Sequence, residues 1–142
     1  MKKIMLSVMG LAVSLVSCQK EQSTLNGCTL SMASIAGTYK ITSIRYKSAS
    51  NAPEQDYLAM MEPCEKDDLI KVNANGTADY QDAGTKCSPE GSYPSTWSLS
   101  GNTMTIDGVT GTIQSFDCRK LVITASGAFV PGDIYTVTYE KQ

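Results

Sequence analysis

From residue 38 to residue 140, apolar and polar positions alternate in short runs, the period-two pattern of strands that bury one face. The runs predict strands near 38–47, 69–73, 77–81, 95–100, 103–107, 109–116, 120–125 and 133–140, with 53–61 as a short helix. The turns between them test this pattern. Gly101-Asn102, read as a two-residue hairpin turn, sets Leu99 opposite Met104 and Trp97 opposite Ile106 on one face. The other face receives the hydroxyl pairs Ser98–Thr105 and Ser100–Thr103, as a half-buried antiparallel ladder requires. Ala74-Asn75-Gly76, read as a three-residue loop, sets Val72 against Ala78 and Ile70 against Tyr80. Asp107-Gly108 then brings Ile106 to Val109 and Met104 to Gly111. Three separate turns agree on one inside.

Eight sequential antiparallel strands predict an all-β fold, an eight-stranded up-and-down barrel, which leaves no sheet edge open. A two-sheet β-sandwich is the alternative that strand count leaves standing. Inward positions are Ile70, Val72, Trp97, Leu99, Met104 and Ile106, continued by Ile113, Leu121 and Ile123. A barrel of this strand number is either filled by such side chains or holds one small ligand. Trp97 reads as core, with an indole N–H that needs a partner.

The first part of the chain reads as an address. Lys2 and Lys3 precede an apolar stretch, 4–16, shorter than the roughly 18 residues of a membrane span, so it reads as the core of a signal peptide. Leu15-Val16-Ser17-Cys18 at its end resembles the lipobox of bacterial lipoproteins. That resemblance implies cleavage before Cys18, a lipid on its thiol and an acylated new amino terminus; several acyl chains anchor stably where one does not. Gln19 instead of Asp after the Cys implies, by the same resemblance, no retention at the inner membrane. The expected organisation is therefore a signal peptide over 1–17, anchor and flexible polar linker over 18–36, and the barrel over 37–142. The whole chain carries −2, and losing Lys2 and Lys3 takes it to −4. Such a balance excludes a nucleic-acid binder, which needs a basic face.

Gly37-Thr38-Tyr39, Cys64-Glu65-Lys66-Asp67-Asp68-Leu69-Ile70, Asn75-Gly76-Thr77, Cys87, Trp97-Ser98-Leu99 and Tyr135-Thr136-Val137-Thr138-Tyr139 follow one another along the chain. In these residues the chain resembles the lipocalin-like domain of many Gram-negative lipoproteins, over roughly 37–142. Tyr39 stands where lipocalins usually carry Trp. The resemblance implies a cup for a small molecule at the cell envelope, lipid-anchored at the outer membrane.

With Cys18 lipidated, Cys28, Cys64, Cys87 and Cys118 remain, and export favours disulfides among three possible connectivities. In an up-and-down barrel successive connections alternate between the two ends. Cys28 precedes the first strand and Cys118 follows the sixth, which places both at the bottom. Cys64 and Cys87 fall in connections at the top. The expected bridges are Cys28–Cys118 and Cys64–Cys87.

Candidate chemistry is weak by comparison. The chain has no His, which removes Ser/His/Asp and Cys/His schemes and His-ligated metals. Four Cys without Cys-x-x-Cys spacing make a poor zinc site. Asn73-x-Asn75-Gly76-x-x-Asp79 has a passing likeness to a calcium loop, but Lys71 and Asp82 stand where acidic end ligands belong. Glu62, Glu65, Asp67 and Asp68 form an acidic cluster, yet the neighbours Asp67 and Asp68 should point opposite ways at a solvated strand boundary. We therefore expect no metal, no cofactor and no enzyme activity.

Two functions remain. One is a binding module for a small apolar or amphipathic ligand. The other is an envelope interaction protein that contacts another protein or a glycan through its loops, with a filled barrel. The long connections 48–68, 82–94 and 126–132 lie at the top, against tight bottom turns at 74–76, 101–102 and 117–119. Their apolar residues Tyr57, Met60, Met61, Tyr93 and Phe129 are the candidate mouth.

Overall fold

The computed structural model describes residues 24–142; the expected signal peptide over 1–17 and the expected lipidation site Cys18 lie outside them. A short hairpin, β1 (Thr24–Leu25) and β2 (Cys28–Thr29), leads to helix α1 (Met32–Ile35). The first barrel strand is β3 (Gly37–Lys47), followed by β4 (Gln55–Asp56) and α2 (Tyr57–Met60). The remaining barrel strands are β5 (Leu69–Val72), β6 (Thr77–Gln81), β7 (Tyr93–Ser100), β8 (Thr103–Ile106), β9 (Val109–Phe116), β10 (Lys120–Ser126) and β11 (Ile134–Lys141). Each pairs antiparallel with its successor, β3 pairs with β5, and β11 returns to β3. The closed eight-stranded barrel is the fold, and the sandwich is excluded.

All three hairpin registers are those the turns dictate: Trp97 faces Ile106, Val72 faces Ala78, and Met104 faces Gly111. The expected helix over 53–61 shrinks to α2. Gln55 and Asp56 instead pair with the upper part of β3, and the Asp56 carboxylate caps α2 by accepting from the Ala59 N–H at 3.2 Å. Strand β7 starts at Tyr93, two residues earlier than expected, because Pro94 is tolerated near a strand's beginning.

The flexible linker expected up to residue 36 requires a correction. Within it, Cys28, Leu30 and Ile35 are buried, and Ile35 is fully so. Residues that polar composition disguised as a tether close the bottom of the barrel. Ser31 and Ser34 form a reciprocal capping box around α1. At its other end the Lys141 ammonium donates to the carbonyls of Ser34 and Ala36, at 3.0 and 2.9 Å, and the Tyr39 hydroxyl donates to that of Ile35. Cys28–Cys118 ties this plug to the β9–β10 turn, with Cα atoms 5.4 Å apart.

Above the plug lies a dense floor. Tyr39, Trp97, Phe116 and Leu121 are all at most 4% exposed. The Trp97 indole N–H finds its partner in the Asn73 carbonyl at 2.8 Å. Phe116 is inside through a bulge. Leu121 pairs with Phe116 and Ile123 with Ile113, so β9 carries one more residue than β10 in that interval. Strict alternation from Ile113 would turn Phe116 outward; the extra residue reverses parity.

Candidate functional site

The floor fills only the lower barrel. Between Tyr39, Val72, Leu121 and Tyr139 just about 10 Å³ is left, no more than one water's worth of space. Above it opens a cavity of about 330 Å³, reaching the end where the 126–132 connection and the Asp107-Gly108 turn lie.

Its walls come from alternate residues of successive strands. Tyr135, Val137 and Tyr139 project inward from β11, and Ile123 and Ala125 from β10. Gly111 is what keeps the wall clear opposite them. A β-carbon there would stand 2.6 Å from Ile123 Cγ2 and 3.0 Å from the Thr124 carbonyl oxygen.

The upper wall is aromatic. Tyr80 and Tyr93 stack with ring centroids 4.5 Å apart and planes 11° from parallel. The Tyr93 hydroxyl donates to Asp107 Oδ2 at 3.0 Å, and Ser95 Oγ donates to Asp107 Oδ1 at 2.8 Å. Phe129 meets the Tyr135 ring edge-on at 5.3 Å. Desolvation pushes the Tyr135 phenol up to about 12 and the Tyr80 and Tyr139 phenols higher still. At neutral pH these rings are uncharged walls.

Phe129 sits on a loop, but a built one. The fully buried Asp133 carboxylate accepts from the N–H groups of Ala128, Phe129 and Val130 at 2.9–3.0 Å. Burial alone would raise this carboxyl; the backbone donors outweigh it and hold it below the usual carboxylate range.

Of the five candidate mouth residues, Tyr93 and Phe129 line the cavity. Tyr57 stands beside them, stacked on Phe129 at 6.2 Å and edge-on to Tyr135 at 6.4 Å. Met60 and Met61 belong elsewhere. Met60 is 60% exposed on α2, and Met61 lines a second groove held by the Cys64–Cys87 bridge. Their loop is drawn outward by β4 and α2, a pairing with β3 that the sequence pattern did not announce. Tyr80 stands inside opposite Ile70, as its turn dictates, whereas Asp107, Tyr135 and Tyr139 are wall residues that sequence reasoning missed. The Tyr-Thr-Val-Thr-Tyr alternation of β11 carried the signal for two of them.

The second groove, about 520 Å³, lies on the other side of the Tyr80–Tyr93 stack and carries Glu62, Glu65 and Asp68. Desolvation raises the Asp68 carboxyl, the Ala83 N–H opposes this, and the neighbouring carboxylates of Asp82, Asp67 and Glu65 add to the rise. Asp67 and Asp68 do not diverge into solvent. Asp67 Oδ2 accepts from the Thr85 N–H at 2.9 Å and Asp68 Oδ1 from that of Ala83 at 3.2 Å. Both acids fasten one loop, because the 82–94 connection folds back over the entry to β5. The calcium-like segment is turn chemistry: the Asn75 side chain accepts from the Thr77 N–H, and Gly76 takes the left-handed conformation.

Against known proteins, the family model described as "Lipocalin-like domain" matches residues 35–127, more than half of the chain. No curated protein matches it.

Proposed function

The chain belongs to the lipocalin-like domain family, and from that premise we propose that it is a lipid-anchored envelope protein binding one small apolar or amphipathic ligand in the upper barrel. Members of this family bind ligands in preference to catalysing reactions. The observation that carries the reading is the empty space of about 330 Å³ above a packed floor. A loop-only interaction protein needs no such space, and filling it with side chains would have stabilised the barrel. The bridges Cys28–Cys118 and Cys64–Cys87 suit an oxidising compartment. The anchor itself rests on the sequence around Cys18.

The neutral fluorescent probe N-phenyl-1-naphthylamine tests the cup. Tyr93→Ala and Phe129→Ala are expected to weaken its binding, while Asn102→Ala, in a bottom turn, leaves it alone. Loss confined to the bottom variant overturns the site. Radioactive fatty acid tests the anchor: Cys18→Ser is expected to abolish labelling, and a labelled Cys18→Ser protein removes the anchor from the reading.

A further inference from the structure

We infer that the ligand is an organic cation, an amine or quaternary ammonium on an apolar body; this rests on the cup reading and narrows it. Among the described residues that line the cavity, Asp107 carries the only charge, and neither Lys nor Arg reaches the wall. A carboxylate, sulfate or phosphate head drawn inside would lose its hydration and find no counter-charge, which is expensive in an apolar enclosure.

Asp107 stands at the solvent-exposed rim of the cavity, where a cationic head would meet it. It occupies a two-residue turn with φ +51°, and each of its oxygens accepts one hydrogen bond, from Tyr93 and from Ser95. A carboxylate oxygen has lone pairs for more than one donor, so both oxygens keep accepting capacity. Around the same space stand the rings of Tyr80, Tyr93, Phe129, Tyr135 and Tyr139. Ring faces attract ammonium groups, the more so when water is excluded.

The neighbouring groove has the same sign. The groove behind the Tyr80–Tyr93 stack carries Glu62, Glu65 and Asp68. Two lysines of the adjoining loops have partners of their own: Lys66 donates to the Ala59 carbonyl at 3.1 Å, and Lys86 pairs with Glu90 at 3.8 Å. Negative charge beside the cavity draws cations and repels anions.

Three probes of one chain length separate the possibilities: octyltrimethylammonium, 1-octanol and octanoate, titrated at neutral pH into the full chain in zwitterionic lipid discs. The readout is the methyl NMR signals of Ile123 and Val137, which line the cavity. The cation is expected to saturate at a concentration at least about tenfold below octanoate, a gap of the size an ion–aromatic or ion-pair contact provides. Asp107→Asn is expected to narrow that gap. Octanoate binding as tightly as the cation overturns this inference and leaves the cup intact. Silence from all three probes overturns the cup, and the inference with it. The wild-type comparison decides the matter even where the variant fails to fold.

Discussion

Trp97 shows how one side chain ties the floor to the turn beneath it. The ring is 4% exposed, and its N–H reaches the carbonyl of Asn73, the residue leading into the β5–β6 hairpin. Trp97→Phe keeps an aromatic ring but removes one of that carbonyl's two donors, the other being the Gly76 N–H at 3.0 Å, and leaves a void where the second ring was. We expect a loss of about 2 kcal/mol, read as a lower urea midpoint with unchanged slope. A value near zero would mean that the floor closes over the space of the lost ring.

Among the elements, β9 and β10 set the shape of the cavity. Gly111 admits Ile123 against the β9 backbone, and the bulge lower down returns Phe116 to the floor. Gly111→Ala forces a β-carbon into Ile123 and the Thr124 carbonyl, and backbone yields less readily than side chains. The expected cost is about 1–3 kcal/mol in thermal or urea unfolding. Ile123→Ala removes Cγ2, so if that methyl is the main obstacle the double variant should lose less stability than the two single losses added together.

At the scale of the whole molecule two bridges hold opposite ends, and their loops differ in size. Cys28–Cys118 spans a sequence separation of 90 and Cys64–Cys87 one of 23. On chain entropy alone, removing the first costs about 4–5 kcal/mol and the second about 3. The paired Ser variants should therefore differ in urea midpoint, with Cys28/Cys118 the weaker. The bottom bridge also fastens α1 and the buried Ile35 beneath the barrel, which widens the difference. Equal midpoints would show that the plug stays docked without its covalent tie.

Pattern along the chain was enough for the eight barrel strands, three hairpin registers and both disulfide pairings. The reason is local: a period of two fixes which side chains share a face, each tight turn fixes one register, and an up-and-down path assigns every connection to an end. The inward set Ile70, Val72, Trp97, Met104, Ile113, Leu121 and Ile123 is accordingly buried, with Leu99 and Ile106 partly so. The rest arises only once the barrel is assembled. A bulge reverses parity without a mark in composition, which hid Phe116. A polar segment becomes a plug once the barrel offers Leu30 and Ile35 a floor to cover. Whether inward residues meet at the axis depends on their summed volume across all eight strands, so a packed lower half and an open upper half exist only in three dimensions.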